Sequence, residues 1–136
     1  MATRLNPYLH FPGTAAAAMA FYRDVFGGTL VSSTFAEMGS TGPEADGIMH
    51  SQLETDGGLV LMGSDLPPGM EHRPGENVTL SLTGDDADVL RGWFARLSEE
   101  GTLSVPLRTQ MWGDEFGQCT DRFGTQWMVD ITQPEG

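Results

Sequence analysis

Apolar positions along this chain change period at regular intervals, and those changes delimit its elements. Residues 5–11 are short, apolar and aromatic, and Pro12-Gly13-Thr14 breaks them, which predicts a strand and a turn. Ala15 to Phe26 begins with four consecutive alanines and continues with Met19, Phe21, Tyr22, Val25 and Phe26, a helix-favouring composition with Thr14 at the N-cap position. Ala18, Phe21 and Val25 fall on one face, and Gly27-Gly28 ends the helix. Thr29 to Phe35 is rich in β-branched and aromatic residues and predicts a strand. Residues 37–47 hold three glycines, one proline and three acids without apolar period, which predicts a mobile surface loop, a candidate lid. Ile48 to Thr55 and Leu59 to Gly63 then flank Asp56-Gly57-Gly58, a strong hairpin signal.

The same order recurs after a proline-stiffened linker. Val78, Leu80 and Leu82 alternate with polar residues in a strand over Asn77 to Thr83, and Asp85-Asp86 supplies an N-cap and negative charge for a helix start. Val89, Trp93 and Leu97, with Leu90 and Phe94 beside them, give that helix an apolar face, and Gly101 closes it. Thr102-Leu103 repeats Thr29-Leu30 after a glycine stop. Val105 to Gln110, Asp114 to Thr120 and Thr125 to Ile131 read as strands, with Asp121 to Gly124 turning between the last two. The fold class is therefore α+β, two βαβββ modules within one domain over 1–136: module one about 1–64, linker about 65–75, module two about 76–136.

A sheet that packs one face on its helix leaves the other face to be covered. Twisted sheets curl, so the two free faces either enclose a ligand trough or pack together as a dry core.

A chain of 136 residues and 14.7 kDa is long enough to bury a core without a staple. No apolar run approaches the roughly 20 residues that span a bilayer, and the N-terminus shows no signal core, so membrane partners are not expected and the chain reads as cytoplasmic. Cys119 is the sole cysteine, in keeping with a reducing compartment. The net charge is −12 and every base is arginine, which disfavours nucleic acid, since phosphates need a basic footprint. The acidity suits a cationic small molecule or simply a solubilising surface.

Four stretches carry a resemblance over nearly the whole chain. Pro7-Tyr8-Leu9-His10-Phe11 with Phe21 to Gly28, Ile48-Met49-His50-Ser51, Leu61 to Asp65, and Trp112 to Gly117 with Asp121 to Trp127 resemble the PhnB-like branch of the vicinal oxygen chelate superfamily, which includes glyoxalases, bleomycin-resistance proteins and dioxygenases. The resemblance implies paired βαβββ modules and a homodimer. It also implies, in metal-dependent members, a ligand early in each module's first strand and another on its last strand. Counted from Phe21-Tyr22, those positions fall at Pro7, near Val60 or Met62, at Asn77 and at about Met128, none of them a normal ligand of a catalytic divalent ion. The expectation is a site without metal or other cofactor.

The residues left to contact a small-molecule ligand are Tyr8, His10, Phe35, His50, Gln52, Gln110, Trp112 and Phe116, which offer stacking surfaces and polar handles. His50 and Gln52 share a strand face about 6.6 Å apart, and His10 joins that face if Leu9 and Phe11 turn to the helix. For His50 the stronger reading is a buried histidine hydrogen-bonded between sheet and loop, ahead of a ligand contact. A divalent site built on His50 and His10, serving a lyase or dioxygenase, is the alternative. His50 and Glu54 do not chelate together, because four residues of strand span about 13 Å. Cys119 lies in a predicted strand with no histidine near it, which favours a structural thiol. Some PhnB-like proteins carry a demethylubiquinone methyltransferase label, but this chain lacks a Gly-x-Gly-x-x-Gly turn between strand and helix.

Overall fold

The computed structural model describes residues 3–67 and 69–133, so Pro68 of the expected linker and both chain ends lie outside the described residues. The chain divides into two units, 1–74 and 75–136.

Unit 1 runs β1 (Tyr8–Phe11), α1 (Ala15–Phe26), β2 (Thr29–Thr34), β3 (Ile48–Glu54) and β4 (Val60–Asp65), with a single 3-10 turn at Ala36–Met38 between β2 and β3. Its sheet has the order β1-β4-β3-β2, with β1 parallel to β4 and the other pairs antiparallel. Unit 2 repeats the plan with β5 (Leu80–Gly84), α2 (Ala87–Ser98), β6 (Thr102–Thr109), β7 (Glu115–Thr120) and β8 (Gln126–Ile131), in the order β5-β8-β7-β6. The helix of each unit is the crossover that lets its first strand run parallel to its last. Both units are βαβββ modules. Among the described residues, no helix is long and apolar enough to cross a membrane.

Element ends differ from the sequence expectation for identifiable reasons. β1 starts at Tyr8 rather than Leu5, because Pro7 has no N–H to extend the ladder and Leu5 is fully solvated. β4 runs on to Asp65, so Ser64 and Asp65 belong to the sheet. β6 begins at Thr102 and passes through Pro106, with register shifts on either side of Val105; it is an edge strand, where proline is tolerated.

Both helices bury a stripe turned about one residue from the expected one. In α1 the buried set is Ala15, Ala18, Met19, Tyr22 and Val25, with Phe21 only half-buried. At 100° per residue, Tyr22 sits at the centre of that stripe and Phe21 at its margin. In α2 Leu90, Phe94 and Leu97 are buried, whereas Val89 is exposed and Trp93 half-buried.

The loop after β2 is folded rather than open. Phe35 N–H donates to the Gly47 carbonyl at 3.0 Å, Ala36 N–H to Ala45 at 2.8 Å, and Gly47 N–H to Glu44 at 2.8 Å.

Candidate functional site

Strand parity decides which side chains are offered to a ligand. A Cβ on Gly63 would press on Met19 and Phe11, so Gly63 and its register partners face α1. Tyr8 pairs with Met62 and His10 with Ser64, which puts both aromatic rings on the opposite, open face. Gln52 pairs with Met62 and with Val31, so β3 presents His50, Gln52 and Glu54 to the same side. Phe11 is 2% exposed beneath α1, and this burial fixes the parity of β1 that the sequence leaves open.

Tyr8 is the centre of this group. Its hydroxyl is hydrogen-bonded to His50 Nδ1 at 3.2 Å, and its ring centroid lies 5.1 Å from His10 and 5.7 Å from His50. The phenol remains 40% exposed, so the two imidazoles flank an accessible aromatic surface. Gln52 Nε2 donates to Glu54 Oε1 at 2.6 Å, leaving its carbonyl oxygen as an acceptor on the same face.

Unit 2 has a corresponding face. Gly117 packs on Phe94, and Glu115 Oε2 lies 2.5 Å from Arg91 Nη2 of α2, so the alternate β7 residues Phe116 and Gln118 point away from the helix. The Arg91 guanidinium has its pKa raised by its hydrogen bond to Glu115. Trp112 is 62% exposed in the β6–β7 turn and meets Phe116 edge-on at 6.0 Å between ring centroids. Gln110 shapes that turn: its N–H donates to the Asp114 carbonyl and its side chain to the Arg108 carbonyl. Asp130 and Phe116 are register partners on this face. Burial first, then the neighbouring Asp114 carboxyl, pushes the Asp130 carboxyl above the usual range.

The candidate residues thus fall into two groups: Tyr8, His10, His50 and Gln52 in unit 1, and Gln110, Trp112 and Phe116 in unit 2. Phe35 joins neither. It caps the 3-10 turn and lines a separate cavity beside α1. Asp65 and Asp130 were not among the site residues expected from the sequence, because their neighbours are brought in by distant strands and turns.

A family model, described as the Glyoxalase/Bleomycin resistance protein/Dioxygenase superfamily, matches residues 4–129. The chain belongs to that superfamily. The crystal structure of protein PA1353 from Pseudomonas aeruginosa is 32% identical, with a TM-score of 0.88 over 98% of this chain and 100% of that one. Protein YjdN of Escherichia coli is 26% identical over 96% of this chain and 97% of its own. A Bacillus cereus structure described as a putative 3-demethylubiquinone-9 3-methyltransferase, PhnB protein, shares the fold: 21% identity, TM-score 0.75, 96% of this chain and 100% of that one. The PhnB resemblance in the sequence is matched by that likeness of fold.

The superfamily's metal position can be tested against the register. The ligand positions counted from the sequence fall at Pro7 and Val60 or Met62 in unit 1 and at Asn77 and Met128 in unit 2, and the register puts Met62 and Met128 on the open faces. Proline, valine, thioethers and an asparagine amide are poor ligands for a hard or borderline divalent ion, and no histidine or glutamate stands at these positions. Among the described residues, no three His, Cys, Asp or Glu side chains gather closely enough to hold a metal. The residues present do not fit the superfamily's metal.

Proposed function

We propose that this protein is a small-molecule-binding member of the glyoxalase/bleomycin resistance/dioxygenase superfamily. In this reading it holds an aromatic or cationic ligand against the open faces of its sheets without the usual metal. The observation that carries the reading is Tyr8, exposed and flanked by His10 and His50, on the face where metal-dependent members place ligands. A ring with a polar tip between two imidazoles offers stacking, cation–π attraction and hydrogen bonds without chemistry on a metal. The net charge of −12 draws cations toward such a surface. Sequestration of a drug, in the manner of bleomycin-resistance proteins, is one form of this function.

Isothermal titration with a cationic glycopeptide tests it. The expected result is saturable binding that Tyr8→Ala weakens by about tenfold or more, the loss of about 1.4 kcal/mol. Absence of heat at micromolar protein counts against the sequestering role.

The competing reading is a lyase or dioxygenase with a divalent ion held by His10 and His50, which the proximity of both rings to Tyr8 favours. Metal analysis of protein purified without chelator separates the two: substoichiometric Zn, Mn, Fe, Ni and Co ends the enzyme reading, and a stoichiometric ion ends the metal-free one. The protein is proposed to act as a cytoplasmic homodimer, and light scattering at twice the monomer mass is the expected result.

A further inference from the structure

We infer that the open face of unit 2 holds an aryl monocarboxylate, its acid group on Arg108 and its ring against Trp112 and Phe116. The inference rests on the reading that the open sheet faces hold a small molecule, and it names the chemical class for one of them.

Register places the parts. Arg108 on β6, Phe116 on β7 and Asp130 on β8 are successive partners across the sheet, so they form one row on one side of it. A Cβ on Gly117, the next residue of β7, would press on Phe94 of α2 and on the Leu107 backbone, so that row faces away from the helix. The row beside it pairs Gln118 with Met128 and Val105, which widens the apolar floor around Phe116. Trp112 in the β6–β7 turn is exposed and edge-on to Phe116, so its indole extends that floor. The turn is set before any ligand arrives: Gly113 N–H donates to the Gln110 carbonyl at 3.0 Å, and Gln110 N–H to the Asp114 carbonyl at 2.8 Å.

Polar groups on this face lack protein partners. In unit 1 the open-face groups satisfy one another, Tyr8 with His50 and Gln52 with Glu54. In unit 2 neither the Arg108 guanidinium nor the Gln118 amide has a hydrogen-bond or ion-pair partner among the described residues. Arg23, Arg73, Arg91 and Arg122 each pair with an acid. Arg108 has none, in a chain that holds 19 acids.

The ligand class follows from that row. A guanidinium presents two parallel N–H donors, the geometry that a carboxylate accepts. Register partners have Cβ atoms about 5 Å apart, so a ring lying over Phe116 brings a carboxylate on a short side chain to the Arg108 fork. Asp130, with Asp114 beside it, stands on the other side of Phe116, where burial already resists its charge, and this end of the row rejects a second anionic group. A cation in the same place meets Arg108, and a neutral ring gains stacking alone. The chain's charge of −12 acts at long range and is screened beyond roughly 8 Å at physiological salt, whereas the Arg108 contact is direct.

The test uses the full chain at physiological salt, with cinnamate as the probe, cinnamamide as its neutral isostere and para-carboxycinnamate as its dianion, followed by amide and indole chemical shifts. Saturable cinnamate shifts are expected at Phe116, Gln118 and the Trp112 indole, with a Kd of about 0.1–1 mM and the amide and dianion each at least about tenfold weaker. Arg108→Gln should weaken cinnamate about tenfold and erase its advantage over the amide, and Arg108→Lys, which keeps the charge without the fork, should fall between. Trp112→Ala should weaken acid and amide alike. Both positions are exposed, so the variants should fold as the wild type does. Tyr8→Ala should leave cinnamate binding unchanged, so a failed glycopeptide titration and a failed cinnamate titration are separate results. Equal binding of the amide, an acid preference that survives Arg108→Gln, shifts confined to Tyr8 and His50, or no saturation by about 10 mM cinnamate overturns the proposal.

Discussion

Asp121 organises the turn between β7 and β8 with a single carboxylate. Oδ1 accepts the N–H groups of Phe123 at 2.8 Å and Thr125 at 3.1 Å, and Oδ2 accepts the indole N–H of Trp127 at 2.8 Å. Asp121 and Trp127 are both buried, so Asp121→Ala strips three donors of their acceptor and leaves one indole N–H without water. A loss of about 3 kcal/mol or more in urea unfolding is expected, with Asp121→Asn intermediate. Burial and then the Asp121 charge push the adjacent Cys119 thiol up to about 11, so this cysteine stays protonated at working pH, as a structural thiol should. Asp130 behaves in the opposite sense to an ordinary salt-bridged carboxylate. Its Oδ1 is buried without a hydrogen-bond partner among the described residues, and its pKa is raised by burial and Asp114. A carboxyl whose folded pKa exceeds its unfolded one contributes its stability in full below the unfolded value and loses it as pH rises through the folded value. Asp130→Asn removes that charge, so thermal unfolding should show the variant gaining on wild type as pH rises from 4 to 8. A parallel pair of Tm profiles would contradict this account.

At the level of elements, the repeat read from Gly28-Thr29-Leu30 and Gly101-Thr102-Leu103 has a physical cause. A Cβ at Gly28 would strike the carbonyl of Glu54, and one at Gly101 would strike that of Thr120, the backbone at the end of β3 in one unit and of β7 in the other. Each glycine lets the chain leaving its helix lie directly on the sheet. Gly28 also sits at φ +98°, and Gly101 does not lie in the left-handed region. Gly101→Ala should therefore cost about 1–3 kcal/mol through overpacking, and Gly28→Ala about 1 kcal/mol more; chemical denaturation of both variants checks the order. The glycines, both helices and all eight strands were legible because each is signalled locally, by period, stop or turn. Capping was legible in one helix only. Asp86 Oδ1 accepts the Val89 N–H at 3.3 Å as its position suggests, but Thr14 makes no side-chain cap. The α1 N-terminus is satisfied by Asp65, 50 residues away in sequence, and no local pattern announces such a partner.

At the scale of the whole molecule, strand parity groups His50 with Gln52 from the sequence alone, whereas Tyr8 and His10 join their face only because Phe11 is buried under α1, which the sequence leaves open. The cavity lined by Phe35 could not be read ahead, because its wall joins a helix start, a loop and a strand end that only the fold brings together. The same distinction governs how metal binding should be tested. A chain of charge −12 repels itself, so any divalent cation raises its stability by screening, whether or not a site exists. A specific site adds a further increment that grows with the logarithm of free ion, about 2.7 kcal/mol at a hundredfold excess over Kd. With Pro7, Met62, Asn77 and Met128 at the superfamily's ligand positions, that increment should be missing. Zn, Mn and Ni at matched ionic strength should then move Tm no more than Mg does, and EDTA should leave it where it was. A Tm that climbs with one of these ions alone, and falls back on chelation, would show that His10 and His50 recruit a metal after all.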